Sequence, residues 1–353
     1  MNHKLNPWLD LCRALAICLV LLSHGRIFLI PVFPDSQLFK FGGFMGVELF
    51  FVLSGFLIGR IVFSKIEASQ KPFDWIGGFW FRRWMRTYPS YLLFLFINIA
   101  LITTIREDNF PNILEFGSFT QSLLSPHPTF FGEAWSLAVE EVFYFITPLV
   151  MSLSILLTKN KNAGVIIAMF IMLLASLILR VHAALYTSMT FNEIRTISLY
   201  RVDSIMVGVV FSWLFIHGKI NKFASIGLIL IPISAYIAVK PDDIIDRSTA
   251  LKIFLFNMSN IGFACLIVAG YSLNITGLLN KLTSHVARWS YAAYLTNLPV
   301  LLTIRYFTQP PVTAFNCILL WLAFIFFTLA SAAIVYSLFE RKVLQYRDAI
   351  RAK

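Results

Sequence analysis

The chain has 353 residues, 58% of them hydrophobic and 13% charged, with a mean hydropathy of +0.76. Soluble globular domains carry about a quarter of their residues as charges, so this chain has too little polar surface to coat a water-soluble fold. The formal net charge of +11 would suit a nucleic-acid binder in a soluble protein. Here the basic residues gather in particular loops, which points to membrane topology and to no nucleic-acid partner.

A helix needs roughly 20 apolar residues to cross the hydrocarbon, and about ten segments approach that length. In chain order they cover residues 9–28, 44–62, 87–105, 135–157, 163–179, 199–215, 223–239, 254–271, 289–304 and 314–336. The first contains Arg13, lacks a small-residue cleavage site and precedes many more apolar runs, so it reads as a retained span and not a signal peptide. The expected fold is all-α: a polytopic helical bundle of about ten spans, forming one domain over residues 1–353 with no separate soluble domain.

Loop charges set the expected orientation. With the N-terminus in the cytoplasm, the inside loops and tail hold Arg60, Lys65, Lys71, Arg82, Arg83, Arg86, Lys159, Lys161, Lys219, Lys222, Lys281, Arg288, Arg341, Lys342, Arg347, Arg351 and Lys353. The outside loops hold Glu107, Asp108, Glu115, Glu133, Asp242, Asp243 and Asp246. The positive-inside rule then puts both termini in the cytoplasm. Cys12, Cys18, Cys265 and Cys317 show no metal-ligand spacing and read as small packing residues, so no metal is expected.

Ionisable residues inside a span are costly and by default mark function. Arg13 and His24 share the first span, eleven residues apart. That is about 16 Å of rise, and eleven steps return to within about 20° of the same face. Each also has a plain reading: Arg13 paired with Asp10 or snorkelling, and His24 hydrogen-bonded at the outer boundary. Their shared face favours function, an inner cation and an outer base along one wall. In the second span, Gly46, Ser54, Gly55 and Gly59 read as sites of close helix approach. Glu48 reads either as lining a polar site or as interfacial.

Arg83 and Arg86 lie three apart at the inner mouth of the third span, on one helix face, and guanidinium groups grip phosphate in a bidentate fork. The alternative is a positive-inside anchor. Glu140 and Glu141 enter the fourth span from the outer side. One of them is expected to orient His24, because a carboxylate–histidine pair fixes the tautomer a general base needs. The alternative is a pair of acids at a helix start, where they suit the dipole. Arg201 and Asp203 head the sixth span as an ion pair that is either structural or part of the acceptor site. His3, His127, His182, His217 and His285 are assigned no role.

Taken in order, these segments resemble the membrane-bound acyltransferase-3 family. The matches are Leu9-Asp10…Arg13-Ala14…His24; the run from Gly46 to Ile58; Arg82-Arg83…Arg86…Tyr88-Pro89; and Trp135-Ser136-Leu137…Glu140-Glu141…Phe143-Tyr144. Weaker ones are Arg201…Asp203…Gly208, Ser290…Tyr294-Leu295…Pro299 and Phe339-Glu340-Arg341. The resemblance implies a multi-pass protein of the bacterial inner membrane that transfers acetyl from cytoplasmic acetyl-CoA to a hydroxyl of an extracytoplasmic glycan or lipid-linked saccharide, of O-antigen (lipopolysaccharide), capsule or exopolysaccharide type. It implies that His24 is catalytic and that Arg13, Arg83 and Arg86 serve the CoA side. Two positions depart from the family pattern: Asn297 stands where a histidine is usual and Leu11 where a glycine is common, so Asn297 is given no catalysis. The rival class is a transporter or flippase for a lipid-linked glycan, using the same buried charges as a pathway.

Overall fold

The structure, a computed structural model, describes residues 6–106, 112–218 and 224–350. His3, Glu107, Asp108, Lys219, Lys222, Arg351, Lys353 and the first residue of the seventh expected span lie outside the described residues.

No strand occurs among the described residues. The helices in chain order are α1 (Pro7–Gly25), α2 (Lys40–Ala68), α3 (Ile76–Leu101), α4 (Ile113–Gly117), α5 (Ala134–Thr158), α6 (Lys161–Tyr186), α7 (Phe191–Thr196), α8 (Val202–Ile216), α9 (Ala224–Ala238), α10 (Asp242–Arg247), α11 (Thr249–Gly270), α12 (Gly277–Phe307), α13 (Ala314–Val335) and α14 (Arg341–Ile350). Local chemistry explains their ends. Asn6 caps α1 by accepting from the backbone N–H groups of Trp8 and Leu9, with Pro7 at the first helical position. Lys159 takes a left-handed conformation at φ 55° and ends α5; Asn160 then caps α6 through the Ala163 N–H. Two residues therefore reverse the chain between two spans.

Eight helical stretches among the described residues are long and apolar enough to cross a membrane. They contain α1, α2, α3, α5, α6, α8, α11 and α13. The two remaining expected spans differ for separate reasons. Helix α9 has 15 residues, short of the thickness. Helix α12 has 31 residues but its first half carries Lys281, His285 and Arg288, which dilute its hydropathy. Large apolar side chains such as Phe170, Leu322, Phe326 and Phe327 face outward uncovered. An apolar exterior of that kind needs lipid as its solvent, and the protein is a multi-pass integral membrane protein.

Contacts between elements define two ends. At one, the Trp8 indole N–H reaches Ile267 O on α11 at 3.1 Å, and Lys161 reaches the carbonyls of Glu67 and Ser69 at 3.0 Å each. At the other, His24 meets α12, Arg195 of α7 reaches Gly43 O on α2, and Lys40 reaches Lys240 O and Asp242. The first end, here the basic end, gathers Lys65, Lys71, Arg83, Arg86, Lys159, Lys161 and Lys281.

Helices α2 and α8 form the closest pair. A Cβ on Gly55 would overlap the Ile205 carbonyl, and one on Gly208 would overlap that of Val52. Their backbones thus pack directly, as small residues permit within a membrane. Gly46 and Gly59 serve similarly against Ala16 and Ser212. Ser54 does something else, hydrogen-bonding Tyr144 at 2.7 Å.

The acids and arginines near α8 pair in a way the sequence left open. Arg201 and Asp203 are not partners. Arg201 donates to both oxygens of Glu48 at 2.5 and 2.7 Å, and Asp203 takes Arg180 of α6 at 2.6 and 2.7 Å. All four side chains are fully buried. The expected ion pair at the head of the sixth span is therefore two crossed pairs, tying α2 to the segment before α8 and α6 to α8. Removing one partner of a buried pair costs about 3–5 kcal/mol, because it strands the other charge. Asp203→Ala is expected to lower the detergent unfolding midpoint steeply. Removing the exposed Asp243–Arg247 pair is expected to leave the midpoint in place.

Candidate active site

A cavity of about 430 Å³ runs through the bundle between α1, α2, α3, α5 and α12. On α2 its lining extends from Val47 to Ile61, fourteen residues or about 21 Å of helix rise. Arg13, Arg83 and Arg86 line its basic end. Arg83 lies over the Phe79 ring at 5.9 Å, with its Nε buried and unpartnered. Arg86 is exposed at the mouth. Arg13 pairs with Asp10 at 3.3 Å and also faces the cavity, so its plain and functional readings both hold. Glu340, in a π-turn after α13, is buried and adds a carboxylate near Arg86.

Farther in, the lining changes to Ser54, Glu140 and Tyr144, with Phe50, Phe51, Leu53 and Leu57 as apolar walls. The Tyr144 hydroxyl donates to Glu140 at 3.2 Å. At the far end stand Ser136 and Tyr294, whose hydroxyls meet at 2.6 Å. A tube with cations at one end and hydroxyls at the other suits a long ligand with an anionic head.

His24 lies just beyond this far end. Its Nδ1 meets Asn297 Oδ1 at 2.5 Å. Asn297 is buried on α12, one turn outward from Tyr294 and on the same face. Its amide nitrogen donates to Tyr294 O at 2.5 Å, which turns Oδ1 toward the ring. Because Oδ1 can only accept, Nδ1 carries a proton, and in the neutral imidazole Nε2 then keeps its lone pair. Nε2 makes no hydrogen bond among the described residues. The contact holds the neutral imidazole in the tautomer of a base.

The expected carboxylate on His24 is therefore an amide. Glu140 sits six residues inside α5, about 9 Å deep, facing the cavity where Arg86 and Arg83 are its charged neighbours. Glu141 points to α3 and accepts from Thr87 Oγ1 at 2.5 Å. His24 is one residue from the end of α1. The sequence reading put both acids and His24 in one outer layer, and the depth difference separates them. The structure brings Arg13, Arg83, Arg86 and Glu140 together around one cavity. It sets His24 a turn beyond, and Glu141 behind the wall.

Two further polar side chains near His24 escaped the sequence reading. Asn297 was set aside as a departure from the family pattern, although a buried asparagine in an apolar span signals a partner. Arg195, on the short helix α7, lay in a loop with no motif. Its guanidinium stacks on Trp135 and Phe44 at 5.0 and 5.8 Å, and it is an electrostatic neighbour of His24.

The acyltransferase domain family matches residues 6–340 of the chain. The chain belongs to the acyltransferase-3 family. The O-acetyltransferase OatA of Staphylococcus aureus is 25% identical over 329 residues, covering 86% of this chain and 52% of that protein. The putative peptidoglycan O-acetyltransferase YrhL of Bacillus subtilis is 32% identical over 184 residues, 47% of this chain and 27% of that one. The peptidoglycan O-acetyltransferase OatA of Listeria monocytogenes is 30% identical over 182 residues, 46% of this chain and 26% of its own length. The chain spans about half the length of the Staphylococcus aureus relative. No solved structure matches it. Family membership favours group transfer over the transporter reading of the same buried charges.

Glu133 ends the loop before α5 and shows what burial does to an acid at this end. Its carboxylate is 2% exposed and neither oxygen has a partner among the described residues. Desolvation pushes its pKa up to about 8. The folded protein therefore keeps a proton that the unfolded chain loses near pH 4.5. That stability is fully present below pH 4.5 and is lost as pH rises through about 8. Glu133→Gln removes the titration. Its unfolding midpoint is expected to gain on wild type between pH 5 and 8, by up to about 1.4 kcal/mol per pH unit. A pH-independent difference between the two proteins would show that Glu133 is charged when folded.

Proposed function

We propose that this protein is a membrane O-acetyltransferase, moving acetyl from cytoplasmic acetyl-CoA to a hydroxyl of an extracytoplasmic glycan. The observation that carries the reading is the cavity linking three arginines to the layer beneath His24 and Asn297. The positive-inside rule makes the basic end cytoplasmic, which places both termini there and His24 on the outer side, with the inner membrane of a bacterium as the setting. Acetyl-CoA carries phosphates at one end and a thioester at the other. Arg83, Arg86 and Arg13 suit the phosphates, and the cavity suits the arm between.

In the proposed step, the acceptor hydroxyl gives its proton to His24 Nε2 as its oxygen attacks the thioester carbonyl carbon. The carbon–sulfur bond then breaks, and the departing thiolate takes the proton from the imidazolium. Asn297 holds the ring throughout. Glu140 serves the donor compartment by balancing Arg83 and Arg86 and by ordering Tyr144. Glu141 acts through Thr87 in the wall. Two of the relatives are named for peptidoglycan, and the family resemblance points to O-antigen, capsule or exopolysaccharide. The shared chemistry is a sugar hydroxyl beyond the membrane.

His24→Ala is expected to abolish acetyl transfer by purified protein in liposomes while its unfolding midpoint stays near that of wild type. Asn297→Leu leaves the ring free to turn and is expected to lower kcat by about 10²-fold or more, within the range of one catalytic group. Asn297→His, which restores the residue usual in the family, is expected to keep activity. Arg86→Gln is expected to raise KM for acetyl-CoA and leave KM for the glycan unchanged. Full activity in the His24 variant would remove the base from the mechanism.

A further inference from the structure

The outer end holds more positive charge than its own acids neutralise. Arg201 is held by both oxygens of Glu48, and Lys40 by Asp242 at 3.1 Å. Arg26 and Arg195 have no carboxylate within ion-pair distance among the described residues. Arg26 donates to the Ser23 carbonyl and, at 3.4 Å, to Gln37. Arg195 donates to the Gly43 carbonyl at 2.9 Å, and its buried Nε has no partner. The neighbouring acids lie beyond ion-pair distance: Glu48, the strongest charge on Arg195, is already held by Arg201. Asp242 acts on both arginines only from beyond ion-pair distance and is largely exposed. Glu133 is buried without a hydrogen-bond partner for either oxygen among the described residues, and burial favours its neutral form.

Both guanidinium groups are the charged neighbours of His24. Arg195 comes from α7, His24 and Arg26 from the end of α1 and the turn after it, Trp135 from the start of α5, and Tyr294 and Asn297 from α12. The Trp135 and Phe44 rings lie against the Arg195 guanidinium without neutralising it. A planar donor fork with a buried N–H to spare is built for a carboxylate or phosphate. Cations without a paired carboxylate at this end also draw anions from solution.

We propose that the acceptor is an acidic glycan, and that Arg195, assisted by Arg26, binds its anionic group and sets the neighbouring hydroxyl against His24 Nε2. This rests on the proposed acetyl transfer and names the class of its acceptor. The anion is either a carboxylate on the sugar or a phosphate that links the glycan to its carrier; both offer paired oxygens to a guanidinium. Binding places a negative charge beside the imidazole at the step where it becomes imidazolium, offsetting the two arginines that otherwise oppose that charge.

The test uses the full chain in liposomes with radiolabelled acetyl-CoA and three acceptors: a uronic-acid oligosaccharide, its carboxyl-reduced neutral counterpart, and an oligosaccharide bearing a phosphodiester. The expected result is a kcat/KM at least tenfold higher for one or both anionic acceptors than for the neutral one, falling with added salt. The better of the two anionic acceptors identifies the source of the charge. Arg195→Gln is expected to raise KM for the anionic acceptor tenfold or more and to shrink the preference for anionic over neutral acceptor, with KM for acetyl-CoA unchanged; Arg195→Lys recovers part of the loss. Equal use of neutral and anionic acceptors by wild type would overturn the inference, whether or not the variants fold. So would an Arg195→Gln defect of the same size on all three acceptors. Failure to acetylate any acceptor would instead overturn the acetyl-transfer reading and this inference with it.

Discussion

A charge inside the hydrocarbon layer needs a partner or a wet cavity, and this chain meets that demand in two ways. Glu48 with Arg201, and Asp203 with Arg180, close on each other and leave nothing for a ligand. Arg13, Arg83, Arg86 and Glu140 open onto a shared cavity. The first set ties α2, α6 and α8 into a rigid half of the bundle, helped by the backbone contact at Gly55 and Gly208. The second set lies between α1, α3, α5 and α12, where side chains leave space. Structure and site are thus built from the same residue types, and what separates them is whether the charges close on each other or open onto the cavity.

That sorting also explains what could be read from the chain alone. Length and hydropathy were enough for the spans, because the hydrocarbon thickness is a hard constraint. They were less plain for α9, which is short, and α12, which is polar in its first half. The face shared by Arg13 and His24 was legible from helix period alone. The partners were not. Arg201 and Asp203 are two residues apart and looked like a pair, yet each reaches across to another helix. A span has a periodicity but no address for its neighbours. Arg180, 23 residues from Asp203 along the chain, could not be matched to it by spacing.

Depth was the second thing hidden. Glu140 and His24 both lie near an outer helix end in the sequence, but one is six residues inside its helix and the other is in the last turn. A shift of about 9 Å moves a carboxylate from the base to the opposite compartment. The residue that does meet His24, Asn297, was passed over because it breaks a family pattern. A neutral amide fixes the tautomer as a carboxylate would, but leaves the imidazolium without a negative neighbour.

The missing negative neighbour shapes the outer site. A histidine paired with a carboxylate brings its own counter-charge to the proton-transfer step. His24 has an amide and two arginines around it, so the proton transfer needs an anion from elsewhere. The thioester carbonyl supplies one transiently, as its oxygen gains charge during attack. An anionic acceptor supplies one from the moment it binds. The amide at position 297 and the guanidinium at position 195 are in this sense one arrangement. The base has a neutral partner, and the chain holds beside it a cation suited to receiving a counter-charge with the substrate.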